Sequence, residues 1–198
     1  MRSRAAYKLV ELDAKFRLLR SGDTVIDLGA APGGWSEVAV RKTGVRGRVV
    51  AVDIAVFDKL HKVEALVLDV DTPEAPAVLC TAVPEGADIV LSDMAPPATG
   101  HRATDTLRAE HLAGVAMDTA AVVLKPGGTF VVKVMRGGAE ASLFQSLRKL
   151  FGSVEYAKPA ASRKDSAELY MVAKRFRSPP AAPVPPVGHP TNDTGGVA

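Results

Sequence analysis

The chain has 198 residues, of which 47% are hydrophobic and 24% are charged, and its formal net charge is +3; these values are typical of one globular domain. Its only cysteine, Cys80, excludes an internal disulfide and favours the reducing cytoplasm, and its four histidines lack metal-ligand spacing, so no metal site is expected. No apolar run reaches the roughly 18 residues of a membrane span, and charges interrupt the first twenty residues, so neither a transmembrane segment nor a secretion signal is expected.

The N-terminal segment is predicted to form an amphipathic helix with a basic surface. One face of this helix carries Ala5, Leu9, Leu12, Phe16 and Leu19. Ser3 is the candidate N-cap. Residues 1–20 hold six basic and two acidic side chains, and a second basic cluster comprises Arg163, Lys164, Lys174, Arg175 and Arg177. Such clusters attract polyanions, although a solvated charged face is the plain alternative.

Six short, valine-rich apolar runs follow, with helical patterns between them. The runs lie at residues 24–28, 48–53, 64–69, 87–93, 129–134 and 168–173. This alternation predicts a doubly wound α/β sheet with helices on both faces. One later helix carries Leu143, Phe144, Leu147, Leu150 and Phe151 on one face. A weaker run at 153–159 lies too close to the strand at 168 for a helical crossover, so these two are predicted to pair antiparallel.

The composition changes at Ser178. Residues 178–198 hold six of the 14 prolines, only one charge and no periodic apolar face. We expect this segment to be a disordered tail and residues 1–177 to form the folded domain.

The first strand ends in the stretch D-L-G-A-A-P-G-G-W-S, residues 27–36. A glycine-rich loop between a strand and a helix lets backbone approach a ligand closely. Asp53 and Asp69 end the next two strands, where carboxylates can accept hydrogen bonds from a ribose and from the exocyclic amine of adenine. The loop alone could be a tight turn, but the three features in order predict a nucleotide-type site.

The spacing of the glycines indicates which cofactor is expected. The G-x-G-x-x-G pattern of dinucleotide sites is absent, and a bulky Trp35 at the start of the helix would crowd a pyrophosphate. S-adenosylmethionine has a ribose and an adenine but no phosphate, so it fits this loop better.

Charged residues at the later strands predict a reactive site. Asp93 ends the fourth strand, and Lys133 lies inside the valine-rich fifth strand, where an unpaired charge would be costly. A lysine that reaches the edge of the sheet is the plain alternative. Glu168 begins the last strand and Lys8 lies on the polar face of the first helix; alone, each reads as an ordinary solvated residue.

Five stretches together resemble one family, the FtsJ/RrmJ (RlmE) ribosomal RNA 2′-O-methyltransferases. They are S-R-A-A-Y-K-L, D-L-G-A-A-P-G-G-W-S, S-D-M-A-P, G-G-T-F-V-V-K-V and S-R-K-D-S-A-E-L-Y-M-V-A, in the order of the family and across nearly all of residues 2–177. The resemblance implies a Rossmann-like methyltransferase fold with a mostly parallel, seven-stranded sheet and an antiparallel last strand. It also implies methyl transfer from S-adenosylmethionine to a uridine 2′-oxygen in 23S rRNA of the assembled large ribosomal subunit.

The same resemblance implies the site residues. The catalytic tetrad would be Lys8, Asp93, Lys133 and Glu168. The cofactor contacts would be Gly33, Trp35, Asp53, Asp69 and Asp93. Lys133 would lie beside the 2′-oxygen, either as a base or as a stabiliser of developing negative charge. The rim formed by Arg4, Lys8 and the 163–164 pair would hold the RNA backbone.

Two departures from the family and several alternatives stay open. The family commonly carries a basic extension ahead of the first helix, whereas this chain starts almost at Ser3, and its usual A-P-N is A-P-P-A-T-G here. The acceptor could be tRNA or another RNA. A TlyA-like enzyme would need an additional N-terminal domain, and a non-catalytic binding module would not need Lys133. An NAD-linked oxidoreductase lacks the required glycine spacing. We expect a monomer with neither DNA nor membrane partners.

Overall fold

A computed structural model of the chain describes residues 3–58, 60–137, 139–163 and 166–177. The helices are α1 (Ala5–Phe16), α2 (Gly34–Thr43), α3 (Ala75–Ala82), α4 (Arg102–Val123) and α5 (Glu140–Leu150), with a 3₁₀ turn at Gly44–Arg46. The strands are β1 (Thr24–Leu28), β2 (Arg48–Asp53), β3 (Val63–Val67), β4 (Ala87–Ser92), β5 (Leu124–Met135), β6 (Phe151–Ala157) and β7 (Glu168–Phe176). The predicted tail, residues 178–198, lies outside the described residues.

The strands of the described residues form one sheet in the order β3-β2-β1-β4-β5-β7-β6. The first five strands are parallel, and β7 pairs antiparallel with both β5 and β6. This confirms the predicted doubly wound, mostly parallel sheet and the antiparallel pairing of the weak run near 153–159. The strand order reverses between β1 and β4, and ligands of such sheets bind at the carboxyl ends of the strands on either side of that point.

Apolar side chains cover both faces of the sheet, as predicted. Successive residues of a strand point to opposite faces, so Val131 belongs to one core and its neighbours Phe130 and Val132 belong to the other. Helices α1 and α2 pack on the Val131 face, and α3, α4 and α5 pack on the opposite face. Residues two positions apart on a strand therefore point to the same face of the sheet.

Helix α1 differs in detail from the prediction. Arg4, not Ser3, is the N-cap residue, and the Ser3 hydroxyl oxygen is buried without a hydrogen-bond partner among the described residues. The helix ends where Arg17 adopts a left-handed φ of 52°. Leu19 therefore lies beyond the helix. Its side chain is still buried, and the Asp13 carboxylate holds this segment against the helix by accepting the backbone N–H groups of Leu18 and Leu19.

The later amphipathic helix is also shorter than predicted. Its apolar face ends at Leu150, and Phe151 is already the first residue of β6. The Phe151 side chain is still buried and packs against Phe130 and Phe176 across the sheet, which explains why it matched the helical pattern. In the described part of the chain, no helix combines the length and the apolar composition that crossing a bilayer requires.

Candidate active site

The glycine-rich loop after β1 is packed too closely to accept larger residues at two positions. Gly29 has a φ of 74°, and a Cβ there would lie 2.9 Å from the Cα of Met94, in the segment that follows β4. Gly33 has a φ of 99° and directly precedes α2, and a Cβ there would lie 2.7 Å from the Leu60 side chain. Gly29 therefore lets the loop lie against the backbone at Met94, where the strand order reverses, whereas Gly33 is favoured by its left-handed φ, since the Leu60 side chain can move aside.

A cleft of about 680 Å³ opens at the carboxyl ends of β1 to β4. Asp53, Asp69 and Asp93, from the ends of β2, β3 and β4, line it together with Asp71. Apolar residues of the same loops and of α4 complete the walls, among them Val52, Leu68, Val70, Met94 and Leu107. The structure thus brings the three predicted aspartates to one cleft.

The carboxylate of Asp53 also holds the loop in place. It accepts the backbone N–H groups of Ala31 and Ala55, each at 2.8 Å, so it ties the glycine loop to the end of β2. Asp69 accepts the N–H of Asp71 at 3.0 Å. Asp71 in turn pairs with His111 of α4 at 2.5 Å, which joins the two walls of the cleft.

The four predicted tetrad residues lie on the same face of the sheet. Lys133 follows the buried Val131 by two positions, Asp93 follows Leu91 by two, and Glu168 precedes Tyr170 by two. Because β7 is antiparallel, its first residue lies at the same edge as the carboxyl end of β5. Helix α1 covers this face and supplies Lys8.

The tetrad forms two ion pairs. The Lys133 ammonium lies 3.1 Å from an Asp93 carboxylate oxygen and donates to the Asp93 carbonyl at 2.7 Å. The Lys8 ammonium lies 3.0 Å from Glu168. Only 9% of the Lys133 side chain and 13% of the Lys8 side chain are exposed. Burial alone would raise the pKa of Glu168, but the hydrogen bond and charge of Lys8, with the charge of Lys133, hold it below its ordinary value.

Tyr170 contacts both ion pairs, and the sequence patterns had not identified it as a site residue. Its hydroxyl donates to Asp93 at 2.7 Å, and the Lys8 ammonium lies 5.8 Å from the centre of its ring. Burial and then the negative charge of Asp93 raise the pKa of Tyr170 well above its ordinary value, so it remains a hydrogen-bond donor. Its position two residues after Glu168 is the signal that could have identified it.

Asp27 of β1 is a second residue that sequence reasoning missed. Its side chain is buried, one oxygen accepts the Ser36 hydroxyl at 2.6 Å, and the other oxygen has no partner among the described residues. Burial raises the pKa of Asp27 to about 7, and the charges of Asp93 and Asp53 act in the same direction against the Ser36 hydrogen bond. A charge inside an apolar strand is the same signal that identified Lys133.

Trp35 lies away from the cleft. Its side chain is only 3% exposed, its ring N–H donates to the Ala5 carbonyl at 2.8 Å, and its ring lies 5.7 Å from that of Tyr170. The indole therefore joins α1 to α2 within the core, and the expectation that it would crowd a pyrophosphate is wrong. Contacts of Gly33 and Trp35 with a cofactor stay predictions, since neither residue lines the cleft.

The second basic cluster is not one continuous surface. Lys174 is partly buried, and its ammonium donates to the Phe16 carbonyl at 2.5 Å, at the end of α1. Arg163 and Arg175 are exposed, and Lys164 lies outside the described residues. Among the residues that the structure describes, Arg4 and Arg163 are thus exposed cations of the predicted RNA rim.

Comparisons with known proteins agree with this geometry. A family described as FtsJ-like methyltransferase matches residues 1–176. "Ribosomal RNA large subunit methyltransferase E" of Rhodopseudomonas palustris is 54% identical over 179 residues, 89% of this chain and 76% of that protein. The protein of that name from Bradyrhizobium diazoefficiens is 50% identical over 179 residues, 89% of this chain and 78% of its own length.

Solved structures of other proteins share the fold of this chain. The crystal structure of a ribosomal RNA methyltransferase from Plasmodium falciparum superposes with a TM-score of 0.79 at 28% identity, covering 89% of this chain and 98% of that one. A chain of a fibrillarin/Nop5p complex has a TM-score of 0.62 at 20% identity, covering 88% of this chain and 85% of that one. The latter likeness is one of fold alone.

Proposed function

The chain belongs to the FtsJ-like methyltransferase family and is an RNA methyltransferase, and we propose that it methylates the ribose 2′-oxygen of a uridine in 23S rRNA of the large ribosomal subunit, with S-adenosylmethionine as the methyl donor. One observation carries this proposal. Asp93 lines the cleft and also holds Lys133, so the cofactor site and the paired lysines meet at one residue. Relatives named for large-subunit rRNA support the choice of substrate.

The residues of the cleft fit S-adenosylmethionine better than a dinucleotide. Four carboxylates, of Asp53, Asp69, Asp71 and Asp93, line the cleft. Lys133 pairs with Asp93, His111 pairs with Asp71, and Arg108 also lines the cleft. Asp53 and Asp69, which have no ion-pair partner among the described residues, would favour a cationic ligand over a pyrophosphate. Asp53 would accept the ribose hydroxyls with the lone pairs that its backbone contacts leave free, and Asp69 would accept the adenine amine. When bound, the cofactor supplies a methyl group that its positively charged sulfur already activates.

The tetrad would prepare the ribose hydroxyl for attack. A hydroxyl is a poor nucleophile at neutral pH, so its oxygen must be positioned and its proton must leave. Asp93 fixes Lys133 through both a carboxylate and a backbone oxygen, and Glu168 fixes Lys8 from the opposite side. As an ammonium, Lys133 would stabilise the negative charge on the 2′-oxygen while the proton leaves to water, and it would accept that proton itself only after first losing one of its own. Tyr170 would keep Asp93 oriented through its 2.7 Å hydrogen bond.

The substrate is tested by mass spectrometry of RNA from a deletion strain. We expect one 2′-O-methyluridine to disappear from 23S rRNA, to return with the wild-type gene and not to return with Lys133→Ala. A loss confined to tRNA would contradict the proposed substrate and favour the tRNA alternative. Because the substrate is an assembled subunit, we also propose that the enzyme acts in the cytoplasm, as a monomer and without DNA or membrane partners.

A further inference from the structure

We propose that Tyr7 is a stacking platform for an unpaired base of the RNA strand whose ribose enters the tetrad. The inference rests on the proposed function and adds a residue that recognises the substrate. Tyr7 lies in the first turn of α1, directly before Lys8, and 54% of its side chain is exposed.

Tyr7 is an exposed aromatic residue whose side chain has no partner among the described residues. Its helix neighbours Ala6 and Leu9 are fully buried, whereas the Tyr7 side chain makes no hydrogen bond, ion pair or ring contact with any described residue. Tyr156, another half-exposed tyrosine, differs because its ring is stacked on Phe144 with centres 4.9 Å apart. Tyr7 thus offers an aromatic surface that the described fold does not use.

Tyr7 lies on the outer surface of the turn of α1 whose next residue, Lys8, turns toward the tetrad, since successive helix residues point about 100° apart. Adjacent Cα atoms are about 3.8 Å apart, and Lys8 reaches Glu168 inside the tetrad. The same turn of α1 lies over the start of α2, since a Cβ on Gly34 would come within 3.4 Å of the Ala6 nitrogen. A strand that delivers a ribose to Lys8 and Lys133 must therefore pass the first turn of α1.

The surrounding charges favour RNA as the occupant. Arg4 is exposed one turn before Lys8. The loop that carries Arg163 lies along α1, because the Glu11 carboxylate accepts the N–H groups of Ala160 and Ala161. Cations that hold phosphates beside an aromatic ring that holds a base are the usual means of binding single-stranded RNA.

The test measures binding of a short single-stranded RNA by fluorescence anisotropy at several salt concentrations. Stacking is worth about 1–3 kcal/mol per base, so Tyr7→Ala should weaken binding about 5- to 150-fold, while Tyr7→Phe and Tyr7→Trp keep most of the affinity. The slope of log affinity against log salt should not change, because no cation is lost. Arg4→Ala should instead reduce that slope by about one.

Methylation of large subunits purified from a deletion strain completes the test. Tyr7→Ala should raise KM for subunits with S-adenosylmethionine affinity and Tm unchanged, whereas the matched control Tyr156→Ala should leave KM unchanged. Wild-type protein that fails to methylate subunits would refute the proposed function, whatever Tyr7 does. Wild-type activity with an unaltered KM for Tyr7→Ala would refute the stacking role alone. A raised KM with unchanged oligonucleotide binding would also refute it, and would indicate a ribosomal protein as the partner.

Discussion

Lys133 and Lys8 are both held by carboxylates, but Lys133 is held more firmly. Asp93 contacts Lys133 through a side-chain and a backbone oxygen and is itself fixed by Tyr170. Glu168 contacts Lys8 through one oxygen, and its side chain is 28% exposed. A group that must meet one atom of the substrate needs the firmer support, which is why we assign the place beside the 2′-oxygen to Lys133.

Replacement of Lys133 tests that assignment. We expect Lys133→Ala to reduce methyl transfer at least about 100-fold, while RNA and S-adenosylmethionine still bind. Lys133→Arg keeps the charge but stays protonated, so partial activity would favour electrostatic stabilisation and complete loss would favour a base. Radiolabelled methyl transfer to large subunits measures both variants. Lys133→Ala with a tenth or more of wild-type turnover would contradict the assignment.

At the level of elements, Asp27 and Ser36 join β1 to the first turn of α2. Because the pKa of Asp27 is raised to about 7, the folding reaction binds a proton at this residue between about pH 4 and pH 7. Stability from this residue is therefore greatest below that range, falls as the pH rises through it and is constant above pH 7. The contact between Asp27 and Ser36 therefore joins the strand to the helix at a cost in stability that rises between about pH 4 and pH 7.

Asp27→Asn should remove that cost and keep an oxygen to accept the Ser36 hydroxyl. At pH 8 we expect the free energy of unfolding of the variant to exceed that of the wild type, by on the order of 4 kcal/mol at most. Near pH 4 the pH-dependent part of this difference should be close to zero. Ser36→Ala should do the opposite at pH 8, because it removes the hydrogen bond that favours the charged carboxylate. Urea unfolding across this pH range measures all three proteins, and a difference independent of pH would contradict the raised pKa.

The elements also show what the sequence could and could not predict. Valine-rich runs identified the strands, and Lys133 was recognisable because a charge inside such a run needs a partner. Tyr170 was not recognised, because a tyrosine in a buried strand resembles a core residue, and only its place two residues after Glu168 distinguishes it before its contact with Asp93 is known. Trp35 misled in the other direction, since its place in the loop suggested that it would crowd a pyrophosphate, whereas its ring is buried in the core.

For the whole molecule, the two sides of the site carry opposite charge. Four aspartates and one arginine, Arg108, line the cleft, whereas the first turn of α1 and the 158–163 loop present exposed cations, among them Arg4 and Arg163. A cationic cofactor is therefore drawn to one side and a polyanion to the other. This separation would keep RNA phosphates from competing for the proposed cofactor site.

The acidic cleft predicts which ligand stabilises the whole protein. At a concentration 100 times its Kd, S-adenosylmethionine should raise the free energy of unfolding by about 2.7 kcal/mol, which for a domain of this size is an increase in Tm of ~5–10 °C. NAD⁺ should give no increase, because the carboxylates of the cleft repel its two phosphates although it shares the adenosine. Asp53→Ala should reduce the effect of S-adenosylmethionine, since it removes the proposed ribose contact as well as the anchor of the glycine loop. Differential scanning fluorimetry measures these shifts, and an equal increase with NAD⁺ would contradict the proposed charge selectivity of the cleft.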